Sequence, residues 1–148
     1  MTSSLFNLRP NKLNNINRYL SNIKDISWEL FDIDCKRVEL ENTPELISIL
    51  NENLGRNRYI NPKSSTIHYI NYDLEGNYIL DEHKDGCKQT IIIYLDKDHS
   101  IKDTFYVDNK LIDNSYWKYN GFIMEGHLKH RGIFNGYGKR NILCIFMN

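Results

Sequence analysis

The second half of the chain constrains its fold most, because from about Ser65 onward it consists of short segments with strand character. Turn-forming residues separate these segments, a pattern typical of antiparallel β structure. Strands are expected at residues 65–73, 77–83, 89–95, 104–107, 110–113, 121–125 and 139–147, with turns at Glu75-Gly76-Asn77, Asp108-Asn109 and Asn135-Gly136-Tyr137-Gly138. So many short strands in succession favour a sandwich of packed sheets.

The first part of the chain carries two helical patterns. Residues 1–10 are expected to form a loose lead-in, and residues 28–40 have β character. Thr43 as N-cap, Pro44 as first helical residue and Gly55 as terminator predict the second helix. Apolar residues at helical spacing predict the first, amphipathic helix: Leu13, Ile16, Leu20 and Ile23.

These patterns predict one α+β domain over residues 1–148. Helical support is expected over about 11–55 and a β core over about 65–148, without a linker between them. The apolar stripes of the two helices are expected to pack on one face of the sheets.

Composition excludes several classes of protein. The 19 basic and 19 acidic residues give a net charge of zero, which argues against a basic surface for nucleic acid. No apolar stretch approaches the roughly 18–20 residues that cross a bilayer, so no membrane partner is expected. Three scattered cysteines, Cys35, Cys87 and Cys144, favour free thiols and a cytoplasmic location. The oligomeric state is left open.

His83 and Asp85 form the first candidate for a functional site. They are two residues apart, so on a strand or at its end both side chains leave the same face. An imidazole and a carboxylate side by side can supply two metal ligands. One further histidine would complete the 2-His-1-carboxylate facial triad that binds non-haem Fe(II) and leaves coordination positions open.

The run Gly126–Arg140 supplies that histidine and shows a resemblance to a known family. His130 is followed by Gly132, and Arg140 lies ten residues after His130 at the head of an apolar strand. This arrangement resembles the distal motif of the Fe(II)/2-oxoglutarate-dependent dioxygenases, in particular their prolyl-hydroxylase-like branch. Three earlier segments resemble that family in the same order: Gln89–Asp96, Asp103-Thr104-Phe105 and Asn120–Met124. The resemblance covers Ser65 to the C-terminus and implies a double-stranded β-helix (jelly-roll) core.

The resemblance also implies roles for individual residues. His83, Asp85 and His130 would bind Fe(II), and Arg140 would hold the far carboxylate of 2-oxoglutarate through a bidentate contact. Tyr94, and less directly Tyr72, would belong to the same cosubstrate pocket. Strand alternation agrees for Tyr94, because residues 90, 92 and 94 share one face of their strand.

The implied activity is hydroxylation of an unactivated C–H bond. Dioxygen and 2-oxoglutarate would be consumed and succinate and CO2 released, with ascorbate as an accessory reductant. The expected substrate is a peptidyl or free amino-acid side chain, proline-like first among the options.

Alternatives remain open at the level of residues and of function. His127 competes with His130 as the distal ligand, and Lys139 competes with Arg140 as the anchor. His68 and His99 show no partner pattern and are taken as ordinary residues. A nucleic-acid demethylase of the same superfamily is a second enzymatic hypothesis. A cupin-like metal-binding module, or a catalytically silent binding module of the same fold, is the third.

Overall fold

The computed structural model describes residues 3–9, 11–54 and 58–148, and within them the chain is mostly antiparallel β-sheet with two helices. Pro10 and the expected helix terminator Gly55 lie outside the described residues. None of the described helices is long and apolar enough to cross a membrane. The elements in chain order are β1 Ser3–Phe6, α1 Lys12–Ser21, β2 Glu29–Asp32, β3 Cys35–Leu40, α2 Pro44–Leu54, β4 Ser65–His83, β5 Gln89–Lys97, β6 Lys102–Val107, β7 Lys110–Ile112, β8 Gly121–Glu125 and β9 His130–Met147.

The N-terminal segment forms a strand, so the expectation of a loose lead-in over residues 1–10 is wrong for Ser3–Phe6. This strand, β1, pairs antiparallel with β8, from Ser3 opposite Met124 to Phe6 opposite Gly121. The ring of Phe6 covers Gly121 so closely that a Cβ atom there would lie 2.4 Å from it. Backbone pairing along the open edge of β8 therefore orders a segment whose own sequence carries only a weak strand signal.

Both helices contribute their apolar residues to one buried cluster. The N-terminal end of α2 is as predicted, since the Thr43 hydroxyl accepts a hydrogen bond from the backbone N–H of Leu46 at 3.2 Å. α1 ends at Ser21, so Ile23 lies beyond the helix. Residues of the two helices and of β4, β5 and β9 form the cluster together, among them Ile16, Leu20, Leu46, Leu50, Ile67, Ile91, Ile93, Leu143 and Ile145.

Two long strands form the centre of the sheet, whose order is β1-β8-β5-β9-β4-β3-β2. β4 and β9 are 19 and 18 residues long, and they pair with each other along nearly their whole length. The second half of β9 also pairs with β5, and its first half pairs with β6, which in turn pairs with β7. The turn between β6 and β7 at Asp108-Asn109 is as predicted.

The two turns expected within β4 and β9 are absent, and the chain continues through both as strand. Gly76 of β4 lies opposite Gly136 of β9, with φ angles of 120° and 148°. Such angles are accessible to glycine, and the backbone of Ser100 and Ile101 passes so close that a Cβ at Gly136 would lie 2.6 Å from the Ser100 carbonyl oxygen. The glycines predicted as turns therefore permit positive φ angles and a close backbone approach inside paired strands.

The sheet has two apolar faces, and strand alternation assigns each residue to one of them. On β5, Ile91 and Ile93 belong to the cluster shared with the helices, whereas Ile92 and Tyr94 belong to a second cluster. This alternation was predicted for β5. The second cluster surrounds a cavity of about 240 Å³, which contains the candidate site.

Candidate metal centre

Two paired strand ends and the segment that follows one of them bring His83, Asp85 and His130 together. His83 is the last residue of β4, His130 is the first of β9, and the two are paired across the strands after an irregularity in the register. Asp85 follows two residues later, where its backbone N–H donates to the carbonyl oxygen of Gly126 at 2.9 Å. One ligand atom from each residue lies within 4.8 Å of the others.

One carboxylate oxygen lies at the centre of this group. Asp85 Oδ1 is 3.6 Å from Nε2 of His83 and 3.4 Å from Nε2 of His130. The second oxygen, Oδ2, accepts a hydrogen bond from the Thr90 hydroxyl at 2.7 Å. Thr90 therefore holds the carboxylate and leaves Oδ1 directed at the two imidazoles.

The other nitrogen of each imidazole is bonded to a backbone carbonyl oxygen. Nδ1 of His83 lies 2.7 Å from the oxygen of Asp81, and Nδ1 of His130 lies 2.9 Å from the oxygen of Leu128. A carbonyl oxygen only accepts hydrogen bonds, so Nδ1 carries the proton in both neutral rings. The lone pair of each Nε2 then faces Asp85, as metal coordination requires.

Electrostatics couple the carboxylate to the buried histidine. Burial acts to raise the pKa of Asp85, but the interaction with protonated His130 and the hydrogen bond from Thr90 outweigh it and leave that pKa below its usual value. Burial acts to lower the pKa of His130, but its contact with Asp85 outweighs this and raises it. A divalent cation at this point would compete with the Nε2 proton of the charged form of His130, because both use the same Nε2 and Oδ1 atoms.

The structure places the competing residues elsewhere. The side chain of His127 is 71% exposed and lies 3.8 Å from Glu125, away from the three-residue group. Lys139 is exposed and contacts Asp73 at 2.8 Å, whereas the next residue, Arg140, is buried and lines the cavity. His68, taken as ordinary from the sequence, also lines the cavity.

Arg140, Tyr94 and Tyr72 line the same cavity as the three-residue group. Arg140 is 3% exposed, and its guanidinium lies 3.6 Å from the ring centroid of Phe134. Its bidentate partner within the chain is Asp103, reached by Nε at 3.0 Å and by Nη2 at 2.7 Å. The remaining nitrogen, Nη1, is buried and has no hydrogen-bond partner among the residues that the structure describes.

Sequence reasoning missed several residues of the cavity that carry polar or aromatic chemistry, including Thr90, which holds the Asp85 carboxylate. Others among them are Asp103, Phe31, Arg37 and His68. Asp103 belongs to a segment that resembles the dioxygenases, but the resemblance gives it no role. Alternation from Tyr72 back to His68 places both on one face of β4, which is the signal that could have found His68.

No protein-family model matches the sequence, and neither does any curated protein. Solved structures do match. A 2OG-Fe(II) oxygenase family protein from Burkholderia pseudomallei has a TM-score of 0.62 and 13% identity, covering 93% of this chain and 77% of its own. KdgF from Halomonas sp. has a TM-score of 0.52 and 11% identity, and the match covers 82% of this chain and 86% of KdgF. An RmlC-like cupin from Shewanella frigidimarina has a TM-score of 0.50 and 11% identity, and the match covers 84% of this chain and 85% of the cupin.

At these identities the likeness establishes a shared fold. The mostly antiparallel β architecture with two helices is the one that this chain shares with cupin-like proteins and with a member of the 2OG-Fe(II) oxygenase family. Metal, cosubstrate and reaction must be argued from the residues of this chain.

Proposed function

We propose that this protein is a 2-oxoglutarate- and Fe(II)-dependent oxygenase that hydroxylates an unactivated C–H bond. The observation that supports this best is the presence, in one cavity, of a His-Asp-His group and a buried arginine whose terminal Nη1 has no hydrogen-bond partner among the described residues. A cupin-like fold of double-stranded β-helix type, with the helices on its larger sheet, is part of the proposal.

The donor set fits Fe(II). Two imidazole nitrogens and one carboxylate oxygen are the ligands of the facial triad, and three ligands leave positions open for a cosubstrate and dioxygen. With Fe(II) bound, the site would couple dioxygen consumption and oxidative decarboxylation of 2-oxoglutarate to hydroxylation of the substrate. The protein contributes the orientation of the ligands: the carbonyl oxygens of Asp81 and Leu128 fix the two imidazoles, and Thr90 fixes the carboxylate.

Arg140 is the proposed anchor for the far carboxylate of 2-oxoglutarate. Its charge is permanent, and its unpartnered Nη1 can donate to an acceptor in the cavity. Tyr94 and Tyr72 line the same cavity, and burial raises the pKa of both phenols, so each remains a neutral hydroxyl donor at neutral pH. Neutral hydroxyls beside a guanidinium are suited to binding a carboxylate.

The substrate class rests on the resemblance to the prolyl-hydroxylase-like branch alone. We propose a peptidyl or free amino-acid side chain, proline-like first, with Phe31, Arg37 and His68 as the cavity residues from the β2–β4 side. The alternative of a nucleic-acid demethylase has less support, because the net charge of the chain is zero.

A cupin-like metal-binding module without 2-oxoglutarate is the second candidate. The observation in its favour is the bidentate ion pair between Asp103 and Arg140, since it satisfies the charge of Arg140 without any ligand. In such a module Arg140 and Asp103 would be a structural ion pair, and only the His-Asp-His group would have a function.

Anaerobic titration of the Fe(II)-loaded protein with 2-oxoglutarate separates the two candidates. Chelation of Fe(II) by a 2-oxo acid produces a weak visible charge-transfer band, which the oxygenase hypothesis predicts for the wild type. Arg140→Ala should then require far more cosubstrate, whereas Lys139→Ala, the matched change at the neighbouring exposed residue, should behave as the wild type. Iron binding without a band at any concentration of 2-oxoglutarate would overturn the oxygenase proposal in favour of the metal module.

A further inference from the structure

Asp103 is buried against Arg140, and it is neither a proposed metal ligand nor a proposed contact of the cosubstrate. It lies on β6 and is 5% exposed, and its carboxylate receives Nε–H and Nη2–H of Arg140 along one edge of the guanidinium. The indole N–H of Trp117 donates to the same Oδ2 atom at 2.7 Å. Asp103 is thus fixed from two sides before any ligand enters the cavity.

Hydrogen bonds within the loop that carries Trp117 fix the position of its indole. Trp117 has a positive φ of 59°, and its backbone N–H donates to the carbonyl oxygen of Asn114 at 3.0 Å. The buried side chain of Asn114 closes the loop, accepting from the N–H of Tyr119 at 2.9 Å and donating to its carbonyl oxygen at 3.1 Å. A non-glycine residue holds such a φ only where its surroundings determine it.

The contact with Asp103 decides which donors of Arg140 remain for a ligand. A guanidinium has five N–H groups in a rigid plane, and Asp103 uses one on Nε and one on Nη2. The free edge consists of Nη1 and the outer hydrogen of Nη2, which point in the same direction and can hold both oxygens of a carboxylate. Three aromatic rings limit rotation of the guanidinium plane. The distances from Arg140 Cζ to the ring centroids are 3.6 Å for Phe134, 4.9 Å for Tyr72 and 5.3 Å for Trp117.

We propose that Asp103 is a positioning residue, held in place by Trp117, that orients the free edge of Arg140 toward the far carboxylate of the 2-oxo acid. This inference rests on the proposed function, because it assigns Asp103 a role only if Arg140 binds that carboxylate. It also explains how a buried arginine can be ready for an anion: Asp103 stabilises it while the cavity is empty.

A positioning role and a purely electrostatic role predict opposite results. If Asp103 only lowers the local positive charge, its replacement by Asn should strengthen the attraction of Arg140 for an anion. If Asp103 orients the guanidinium, the same replacement should weaken it, because the amide nitrogen of Asn would meet an N–H donor of Arg140 and turn the plane. The direction of the change therefore distinguishes the two.

The measurement is the preference for a far carboxylate, taken as the ratio of Kd values for 2-oxopentanoate and 2-oxoglutarate. The two ligands chelate Fe(II) through the same atoms, and 2-oxopentanoate has a methyl group where 2-oxoglutarate has its far carboxylate. Kd is obtained anaerobically from the charge-transfer band and independently by calorimetry, so no turnover is required. The proteins are wild type, Asp103→Asn, Trp117→Phe and Asp113→Asn, the last at an exposed aspartate.

We expect the wild type to prefer 2-oxoglutarate and Asp103→Asn to lose about tenfold of that preference, which corresponds to about 1.4 kcal/mol. Trp117→Phe removes one hydrogen bond without a change of charge and should lose about fivefold, and Asp113→Asn should retain the wild-type ratio. A ratio that rises in Asp103→Asn, or that stays unchanged in Trp117→Phe, would overturn the positioning role. Absence of any preference in the wild type would instead overturn the proposed function. If Asp103→Asn fails to fold, the Trp117→Phe result decides alone.

Discussion

His83 and His130 are direct partners across strands β4 and β9, with ring centroids 4.2 Å apart, although they lie far apart in the sequence. The pairing has one irregularity, between Leu80 and His83, and then continues from Leu80 opposite Gly132 along both strands, so the separation of the two imidazoles is set by backbone register. The candidate metal centre is therefore assembled by the same hydrogen bonds that form the sheet.

Replacing His130 should abolish tight metal binding, and replacing His127 should not. His130→Ala removes one of the three proposed ligands, whereas the exposed His127 lies outside the group. Anaerobic calorimetry with Fe(II) on His130→Ala, with His127→Ala as the matched control, measures this. Loss of binding in His127→Ala with retention in His130→Ala would assign the distal ligand to the other histidine.

Thr90→Val should weaken metal binding without removing a ligand. The valine side chain has nearly the same shape but cannot donate to Asp85 Oδ2, so the carboxylate is free to turn. Loss of such a supporting hydrogen bond typically costs about tenfold to hundredfold in metal affinity. Thr104→Val, at a partly exposed position on β6, is the control and should bind as the wild type. Equal affinities in all three proteins would show that Thr90 does not orient the ligand.

Alanine at three glycines should produce a graded loss of stability. Gly86→Ala meets no atom within 4 Å, Gly76→Ala meets none but requires a φ of 120°, and Gly136→Ala requires a φ of 148° and meets the backbone of Ser100 and Ile101. We expect Gly86→Ala to change the free energy of unfolding little, Gly76→Ala to lower it by about 1 kcal/mol, and Gly136→Ala to lower it by more than about 2 kcal/mol. Urea denaturation of the three metal-free variants tests the order, and equal stabilities would contradict the backbone conformation and the close approach described for Gly76 and Gly136.

Only one of the three thiols should react in the native protein near pH 8. Burial raises the pKa of Cys35 to about 11 and that of Cys144 to about 12, and the thiolate is the reactive form. Cys87 is partly exposed. A thiol reagent followed by mass spectrometry should label Cys87 in the native state and all three residues in denaturant. Native labelling of Cys144 would show that its face of the sheet opens.

The same two thiols predict the direction of alkaline destabilisation. Their pKa values in the folded chain lie above the value of about 8.5 that is typical of an unfolded chain. Their stabilising contribution is therefore complete below about pH 8.5 and is lost as the pH rises through the folded-state values. The urea midpoint of the wild type should be lower at pH 10 than at pH 8. In Cys35→Ala and in Cys144→Ala, the decrease in midpoint between these two pH values should be smaller.

The sequence was sufficient for the elements whose signals are local. The Thr43 cap, the Asp108-Asn109 turn and the alternation along β5 depend on neighbouring residues, and each is observed. The proximity of His83, Asp85 and His130 also agrees with the expected ligand set. Their roles as metal ligands remain a prediction.

Features that depend on distant contacts could not be read from the sequence. Ser3–Phe6 becomes a strand only because β8 offers an unpaired edge, and Gly76 and Gly136 resemble turn residues until their partner strands are known. The pairing of Asp103 with Arg140 joins two strands in a register that no local pattern reports. Tertiary pairing overrides local preference in each case.

The β2–β3 hairpin touches the cavity through Phe31 and Arg37 but contributes none of the three proposed metal ligands and no part of the Arg140 anchor. It lies at one end of the strand order, whereas β4 and β9 occupy the interior. Selectivity for the substrate would then depend on the β2–β3 hairpin, whereas reactivity would depend on the residues carried by the inner strands. Exchanging this hairpin for a different one is a practical route to changing what the cavity accepts while retaining the chemistry at its centre.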